Sequence, residues 1–398
     1  MPVASNRVKE IVGSPVRRIA VLLERAAGNK DIISFGGGAP SVAPPKEMIE
    51  HLIEELRLNP HQTTGYSSTI GIPSLLEKIA DDLKAEEHIH MNPKKEIALT
   101  DGGSEGLFIA LSATIDPKDE VIIADPTYLA YKPTIEYLGG VPVPVHTKWQ
   151  DDYQMLPDRV NEKITKKTKA IMLLSPDNPT GRIQDDKNTR GIVELAEDHK
   201  LWLITDDIYK HIVLQGKFVN SRKFGGYENT LTCCSFSKSL SVPGFRLGYA
   251  YGPERIVERM EKLKQYTSLC PSRPAQIMVE KALEHKGKIQ KSYVKKVVVP
   301  TYKRRRDLMA KLMKKVIPDA GTAMPRGAFY FFVDMSNYLG KMDDEAFADK
   351  LLQKKNLVVI PGKFFGRSGR KHVRFTFVSE PEPRIKEGFE RLEDFLGV

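Results

Sequence analysis

Unbroken apolar runs separated by helix-like stretches constrain the fold of this chain more than any other feature. The helix-like stretches include residues 107–114 and 189–199. The apolar runs are residues 96–100, 120–124, 170–174, 201–205 and 231–235. A short apolar run without polar alternation is typical of a strand buried on both faces, as in parallel sheets covered by helices. The pattern therefore predicts an α/β fold whose large domain has a mostly parallel sheet flanked by helices.

Near residue 285 the alternation of apolar runs and helix-like stretches gives way to a long charged stretch, which predicts a second, smaller α+β domain. A charged stretch to about residue 315 is expected to form one long helix. Apolar strands at 328–333, 357–360 and 373–377 and a last helix from Pro383 follow it. The Gly- and Pro-rich N-terminal segment is expected to pack with this part. The predicted division is 1–45 (N-terminal, part of the small domain), 46–290 (large domain) and 291–398 (C-terminal, small domain).

Composition argues against several classes of protein. A length of 398 residues suits two domains, and 41% hydrophobic with 28% charged residues is ordinary for a globular chain. No apolar run approaches the length of about 18 residues that a membrane span needs. Residues 1–18 carry charges but no apolar core of a signal peptide. We therefore expect a cytoplasmic protein without a membrane partner.

The net charge of +10 is concentrated in residues 286–315, which include four consecutive basic residues at 303–306. Such a run can bind nucleic acid, but it more often forms the solvated face of a long helix. No aromatic or glycine pattern of a nucleic-acid-binding module accompanies it, so no nucleic-acid partner is expected. The three cysteines, Cys233, Cys234 and Cys270, have neither zinc nor redox spacing, so no metal site is expected.

One lysine lies among hydroxyls directly after an apolar run, in Ser235-Phe236-Ser237-Lys238, and Arg246 follows it closely. A lysine in this setting is a poor surface residue and a good nucleophile, because its amine can form an imine with a carbonyl substrate or with pyridoxal phosphate. Two serines and an arginine could hold a phosphate group. The segment predicts a cofactor bound covalently at one end and electrostatically at the other.

Two further motifs also follow predicted strands. Asp206 and Tyr209 come after the strand at 201–205, at the kind of edge where α/β folds bind ligands. An acid there could keep a pyridine nitrogen protonated, and a tyrosine could bond a phenolic oxygen, although an acid after a strand is more often a helix cap. Asn178 lies in a Ser-Pro-Asp-Asn-Pro-Thr-Gly turn whose prolines would hold its amide in place.

The segment Gly-Gly-Ser-Glu-Gly at residues 102–106 lies between a predicted strand and a predicted helix and has two interpretations. It can be a phosphate-binding turn at a helix N-terminus. It also fits the G-x-S-x-G pattern of a nucleophile elbow, which would make Ser104 the nucleophile of a hydrolase. A hydrolase needs a later acid and histidine, and nothing around His285 or His372 resembles a triad. The motif by itself leaves both interpretations open.

Together the motifs resemble those of the class I and II aminotransferases, which are pyridoxal-phosphate enzymes of fold type I. The resemblance runs from residues 33–40 to residues 373–375, with the motifs in the matching order and spacing. It implies a sheet of the seven-stranded type and a homodimer. It also implies transfer of the α-amino group of an amino acid to a 2-oxo acid, with 2-oxoglutarate as the expected acceptor, by a ping-pong mechanism.

The resemblance implies a role for each matching position. Lys238 would form the Schiff base with the cofactor, Asp206 would pair with the pyridinium nitrogen, and Tyr128 would stack on the ring. Asn178 and Tyr209 would hold the phenolate oxygen. The residues expected to hold the phosphate group are Gly102, Gly103, Ser104, Ser235, Ser237 and Arg246.

Three further positions follow from the same resemblance. Arg374 would receive the substrate α-carboxylate, with Gly38 adding a backbone contact. Arginine suits this role because guanidinium offers two parallel donors. Tyr66 resembles the tyrosine that a neighbouring subunit lends to the cofactor site. Arg273 falls in a segment near the expected dimer contact and could bind a distal carboxylate or form an interface ion pair.

Two other functions stay open on sequence grounds. The same fold hosts pyridoxal-phosphate lyases and synthases that act at the β or γ carbon. A serine hydrolase using Ser104 is the alternative outside pyridoxal chemistry. The amino donor can be aromatic, acidic or aliphatic, because specificity depends on pocket side chains that local patterns do not reveal.

Overall fold

The computed structural model describes residues 31–398. Most of the predicted 1–45 segment, including the stretch examined for a signal peptide, lies outside the described residues. The strands in the described part are β1 (Ile33–Ser34), β2 (Ile97–Thr100), β3 (Glu120–Asp125), β4 (Val141–His146), β5 (Thr168–Leu174), β6 (Trp202–Asp206), β7 (Thr230–Ser235), β8 (Gly248–Tyr251), β9 (Tyr330–Asp334), β10 (Leu357–Val358), β11 (Ile360–Pro361) and β12 (His372–Thr376).

Helices pack around these strands in the order of the chain. They are α1 (Lys46–Leu58), α2 (Pro60–Thr64), α3 (Pro73–Glu87), α4 (Gly102–Thr114), α5 (Tyr131–Tyr137), α6 (Pro157–Asn161), α7 (Asp186–Asp198), α8 (Phe236–Ser239), α9 (Glu254–Lys264), α10 (Arg273–Tyr293), α11 (Val299–Val316), α12 (Asp344–Lys355) and α13 (Glu382–Leu396).

The large sheet has seven strands in the order β2-β8-β7-β6-β5-β3-β4. Strands β4, β3, β5, β6 and β7 run parallel to one another, and β8 is antiparallel to both of its neighbours. The sheet confirms the predicted fold class and all five predicted strands. Sequence analysis missed β4, whose two prolines argue against a central strand; they are tolerated because β4 is an edge strand. It also missed β8, a short strand that starts at a glycine.

A smaller sheet joins β11, β12 and β9 in antiparallel order. The two-residue strand β1 pairs in parallel with β10, so the described start of the chain lies beside its C-terminal part. This arrangement agrees with a small α+β unit that draws on both termini. The boundaries at residues 45 and 290 stay predictions.

The expected long charged helix is built from three pieces. Helix α10 is interrupted at residues 284–287, where the backbone leaves helical geometry, and a π-helical segment, Val294–Val298, connects it to α11. Within the basic run of α11, Lys303 and Arg304 are exposed, but Arg305 and Arg306 are buried. The interpretation of the whole run as a solvated face is therefore wrong for two of its four residues. The buried guanidinium of Arg305 is satisfied by the backbone, because its Nη1 donates to Val378 O at 2.9 Å. This bond joins α11 to the segment after β12.

The described residues hold no cluster of ligands for a metal ion, and all three cysteines in them are free thiols. None of the helices between residues 31 and 398 combines the length and apolar character needed to cross a membrane.

Strand direction decides where the polar motifs meet. The carboxyl ends of β5, β6 and β7 lie side by side, with Leu174 opposite Asp206 and Asp206 opposite Cys233 in the register. Asn178 lies in the loop after β5, Asp206 is the last residue of β6, and Lys238 lies in the short helix α8 that follows β7. A shared edge of a parallel sheet is where α/β folds bind ligands.

Candidate active site

Lys238 lies in α8, a helix of four residues that begins directly after β7. The Ser235 hydroxyl caps this helix by accepting a hydrogen bond from the Ser237 amide at 3.2 Å. The half-buried Lys238 side chain donates from Nζ to Gly38 O at 2.7 Å. Burial, with the positive charges of Arg374 and Arg246, lowers the pKa of Lys238 to about 8. A larger fraction of the amine is therefore uncharged at neutral pH than for an ordinary lysine.

Asp206 is buried at the end of β6. Its Oδ2 accepts a hydrogen bond from the Tyr131 hydroxyl at 2.7 Å, and its Oδ1 accepts one from the Ile208 amide at 3.2 Å. Burial raises the pKa of Asp206 to about 6, against the effect of these hydrogen bonds. A cation held beside this carboxylate would lower that pKa again, because an opposite charge favours the ionised form.

The guanidinium of Arg374 lies between two aromatic rings in the interior. The guanidinium carbon lies 4.4 Å from the centroid of Tyr330 and 4.9 Å from that of Phe365. Nη1 donates to Asn178 Oδ1 at 2.9 Å and Nη2 donates to Gly36 O at 2.7 Å, while the buried Nε has no partner among the described residues. The rings and these hydrogen bonds fix the plane of the guanidinium, so its unused N–H groups have a defined direction.

Tyr209 and Tyr330 bring the loop after β6 and the small antiparallel sheet together. Their hydroxyls are 3.0 Å apart, and both side chains are buried. The Tyr330 hydroxyl would also lie 2.6 Å from a Cβ atom added to Gly38. Only glycine allows this close approach, so Gly38 is required for the packing of Tyr330 against the N-terminal segment.

The predicted phosphate turn forms the first residues of α4. Gly102 has a φ of +78°, and a Cβ atom there would lie 2.6 Å from Arg246 Nη2. The Arg246 side chain donates to Pro243 O at 3.0 Å and to Asp101 O at 3.3 Å. The arginine therefore lies against the N-terminal end of α4, where backbone amides also favour an anion.

The remaining predicted phosphate ligands lie around the same turn. A Cβ atom on Gly103 would lie 3.5 Å from Ser235 Cβ, so the start of α4 packs against the end of β7. The Ser235 hydroxyl donates to the Ser237 hydroxyl at 2.9 Å. Two hydroxyls, an arginine and a helix N-terminus together make a cradle suited to a dianionic phosphate.

Ser104 is exposed in the first turn of α4. The nearby phenol of Tyr128 cannot act as a base for this serine, because burial raises the pKa of Tyr128 and keeps the phenol protonated. Among the described residues, no hydrogen bond joins Ser104 to a histidine; His372 bonds Arg370 O instead. The geometry offers no catalytic triad around Ser104.

Tyr66 is the one predicted site residue that the single chain keeps apart from this cluster. Its side chain is 81% exposed. Its carbonyl oxygen accepts a hydrogen bond from Arg273 Nη1 at 2.9 Å. Arg273 therefore binds the backbone of the Tyr66 segment, and the described residues show no carboxylate paired with it.

Sequence analysis missed three aromatic residues of the site: Tyr131, Tyr330 and Phe365. Tyr131 comes three residues after Tyr128, and this spacing could have indicated a second tyrosine near the site. Tyr330 lies in an apolar run and carries no signal beyond that of a core strand, and Phe365 lies in a Gly- and Lys/Arg-rich segment that resembles a surface loop. The edge-to-face contact of Tyr128 with Tyr131, with centroids 5.5 Å apart, depends on the fold of the intervening turn.

Comparison with known proteins gives the same family from sequence and from structure. The family model described as aminotransferase class I and II matches residues 30–392. An aspartate aminotransferase of Pyrococcus abyssi is 32% identical over 397 residues, covering 98% of each chain. Aromatic-amino-acid aminotransferase 2 of Thermococcus litoralis is 30% identical over 395 residues, again covering 98% of each chain.

The solved structures agree. An aspartate aminotransferase of Thermus thermophilus with maleate superposes with a TM-score of 0.92 at 29% identity, covering 99% of this chain and 100% of that chain. An aromatic aminotransferase of Pyrococcus horikoshii superposes with a TM-score of 0.87 at 31% identity, covering 94% and 98%. The family match and both likenesses extend over nearly the whole chain. This chain therefore belongs to the class I and II aminotransferases and has the fold of the type I pyridoxal-phosphate enzymes.

Proposed function

We propose that this chain binds pyridoxal phosphate through Lys238 and transfers the α-amino group of an amino acid to a 2-oxo acid, with 2-oxoglutarate as the acceptor, by a ping-pong mechanism. One observation carries the proposal. Lys238 Nζ and Arg374 Nη2 bond neighbouring carbonyl groups of the N-terminal segment, at Gly38 and Gly36, and burial, with the positive charges of Arg374 and Arg246, lowers the pKa of Lys238 to about 8. A nucleophile near two arginines suits a substrate with a carboxylate and a cofactor with a phosphate.

The donor set fits the cofactor at each of its functional groups. The phosphate would lie in the cradle of Gly102, Gly103, Ser104, Ser235, Ser237 and Arg246. Asp206 supplies a carboxylate for the ring nitrogen, and Tyr209 supplies a hydroxyl for the phenolic oxygen. Asn178 Oδ1 accepts from Arg374, which leaves its Nδ2 amide as a second donor for the phenolic oxygen of the cofactor. Tyr128 would cover one face of the ring.

When bound, pyridoxal phosphate supplies a protonated ring that withdraws electrons from the substrate α-carbon. Asp206 would keep the ring nitrogen protonated, because its buried carboxylate would stabilise the positive charge there. Tyr131 holds that carboxylate in place through its hydroxyl. Asp206 and Tyr131 therefore act on the ring nitrogen, and proton transfer at the substrate is assigned to Lys238.

Lys238 has two tasks in the proposed reaction. Its amine would hold the cofactor covalently until substrate binds. Its Nζ would then take the proton from the substrate α-carbon as a base and, as an acid, would deliver it to the former aldehyde carbon of the cofactor. A pKa of about 8 suits both directions at neutral pH, because neither the charged nor the neutral amine is scarce.

Arg374 orients the substrate. Two of its N–H groups donate to Asn178 and Gly36, and its remaining N–H groups are free to bind a carboxylate. The bond from Lys238 to Gly38 O places the amine beside the same N-terminal segment. Substrate carboxylate and reacting amine are therefore held by one wall of the site, which restricts the approach of the α-carbon to Lys238.

The proposed assembly is a homodimer in which Tyr66 reaches the phosphate of the neighbouring subunit. Its support is the 81% exposure of Tyr66 and the 89% exposure of Tyr266, which are large aromatic side chains on the surface of the single chain. Exposed aromatic side chains are enriched at protein interfaces. The cytoplasmic location stays a prediction.

The amino donor is the open part of the proposal. The relatives named above act on aspartate or on aromatic amino acids, so these two classes are the first donors to examine. A panel of amino acids with 2-oxoglutarate would identify the donor. No contact in the described residues favours a lyase or a hydrolase over amino transfer.

A direct experiment tests the reaction type. Purified protein loaded with pyridoxal phosphate is mixed with a single amino acid and no acceptor. Amino transfer yields one equivalent of pyridoxamine phosphate per site and then stops. Ammonia with pyruvate in excess of the enzyme would instead indicate a lyase. Covalent labelling of Ser104 by a fluorophosphonate would overturn the proposal in favour of a hydrolase.

A further inference from the structure

The loop that carries Tyr66, residues 66–72, is tied to the first turn of α10. Gln276 is fully buried there. Its side-chain oxygen accepts from the Ile72 amide at 2.8 Å, and its side-chain nitrogen donates to the Ser67 hydroxyl at 2.9 Å. Arg273, the first residue of the helix, donates to the Tyr66 carbonyl oxygen. Three points of the loop are therefore bonded to two side chains that lie about 200 residues away in sequence.

The same loop also lies against the strand that leads to the phosphate turn. The Ile70 carbonyl accepts a hydrogen bond from the Leu99 amide of β2 at 2.8 Å. Gly71 has a φ of +114°, and a Cβ atom there would lie 2.3 Å from Leu99 Cδ1. The backbone must therefore pass β2 at close range, which only glycine permits. The loop is held from two sides, by β2 and by α10.

Gln276 also fixes the chain just before α10. Its Nε2 donates to Pro271 O at 2.8 Å, in addition to its bond to Ser67. One buried side chain thus holds both the Tyr66 loop and the start of α10.

The side chain of Tyr66 has no such support. It is 81% exposed, and no hydrogen bond of its phenol is present in the described part of the chain. A loop without anchors would lose conformational freedom when its tyrosine binds a phosphate on another subunit, and that entropy cost would weaken binding. Hydrogen bonds that order the loop beforehand remove the cost.

We propose that Gln276 and Arg273 are positioning residues for the cofactor site of the neighbouring subunit. They hold loop 66–72 in the conformation that presents Tyr66 to the phosphate group. The inference rests on the proposed cofactor and dimer, and it adds a residue, Gln276, that touches neither cofactor nor substrate. Arg273 then serves the loop backbone and is not a receptor for a distal carboxylate.

The test uses Gln276→Met, which keeps the volume of the side chain and removes all of its hydrogen bonds. We expect pyridoxal phosphate to bind the cofactor-free dimer about fivefold more weakly, the scale of one or two lost hydrogen bonds. Amides of residues 66–72 should exchange with solvent faster than in the wild type, with no cofactor present. Cofactor absorbance measures the first change and hydrogen exchange measures the second.

Gln184→Met is the matched control. Gln184 is also buried, and its side chain bonds the backbone of Met155 at 3.1 and 2.7 Å, away from loop 66–72. Gln184→Met should lower the stability of the fold about as much as Gln276→Met does and should leave cofactor affinity unchanged. Equal losses of cofactor affinity in both variants would overturn the inference, because a general loosening of the fold would then explain them.

Ser67→Ala covers the case in which Gln276→Met does not fold. It removes one hydroxyl from the half-buried loop and breaks the same contact from the other side. Cofactor affinity should fall, and adding Ser67→Ala to Gln276→Met should cause little further loss. Unchanged affinity in both single variants would overturn the inference while the proposed function stands. Failure of the wild type to bind pyridoxal phosphate would overturn the proposed function itself.

Discussion

The two ends of the proposed cofactor site are built in different ways. At the ring end, Asp206, Tyr209 and Arg374 are buried, and each is bonded to a neighbouring side chain. At the phosphate end, Ser235 and Ser237 are buried, but Ser104 and the charged Arg246 are exposed, and Arg246 bonds backbone carbonyl groups. The ring end is organised by side chains in the interior. The phosphate end is organised by a helix N-terminus and by the course of the backbone.

This difference has a consequence for function. Charges in the buried end act in surroundings of low polarity, where each one strongly affects a reacting group. Charges at the exposed end are screened by solvent and share their task with several other donors. Changes at the ring end should therefore alter the rate of the chemical step. Changes at the phosphate end should alter cofactor affinity and leave that rate nearly intact.

The largest expected effect is at Lys238, which lies between the two ends. Proton transfer by a positioned group contributes about 10²–10⁴-fold to a rate, so Lys238→Ala should lose at least that much turnover. The absorbance band of the covalently bound cofactor should disappear as well. Lys238→Arg keeps the positive charge but cannot attach the cofactor, so we expect it to be equally inactive. Wild-type turnover in either variant would contradict the assignment.

A smaller loss is expected for Asp206→Asn. Removing a preorganised charge of this kind costs about 10²–10³-fold in kcat. Asp207→Asn is the matched control, because Asp207 is the next residue, is also buried, and bonds Asn220. Burial holds the pKa of Asp207 well above its usual range, so the amide imitates the protonated acid. Similar losses of kcat in both variants would contradict a special role for Asp206 at the ring.

The same substitution, arginine to lysine, should have different effects at the ring end and at the phosphate end. Arg374→Lys loses the fork that binds a carboxylate, so KM for the amino acid should rise about 10- to 100-fold. Arg246→Lys should leave that KM unchanged and weaken binding of pyridoxal phosphate about three- to tenfold. Steady-state kinetics and cofactor titration separate the two effects. The same pattern in both variants would show that the two ends are not functionally distinct.

The smallest effect concerns stability without cofactor. The pKa of Lys238 is lowered to about 8 in the folded protein, so burial of its charge destabilises the fold at pH 7. Lys238→Met should raise the free energy of unfolding at pH 7 by about 1–3 kcal/mol. From pH 8 toward 10.5 the folded lysine loses its proton before the unfolded one, so the wild type gains stability and the difference shrinks. Urea titrations of the wild type and of Lys238→Met at pH 7 and pH 10 measure the difference in the free energy of unfolding. A difference that grows with pH would contradict a buried charge at Lys238.

Part of this site could be predicted from local patterns. The apolar runs that became β5, β6 and β7 predicted the sheet edge, and the residues after them gave Asn178, Asp206 and Lys238 as candidates. The structure brings these three residues to one edge of the sheet, while their catalytic roles stay predictions. Tyr330 could not be predicted in this way, because a tyrosine in an apolar strand has the same local pattern whether it packs in the core or lines a site. Gln276 could not be predicted either, because the role of a buried glutamine becomes visible only from the groups that it bonds.

Local patterns in the chain predicted five strands of the large sheet and the polar groups that follow three of them, because hydrophobic periodicity and turn residues act over a few neighbouring positions. Which of those groups meet depends on how distant segments pack. Lys238 bonds Gly38 across 200 residues, and Arg374 bonds Asn178 across 196. The lowered pKa of the lysine and the raised pKa of Asp206 also belong to the tertiary structure. Both shifts come mainly from burial, and burial exists only once distant parts of the chain have packed together.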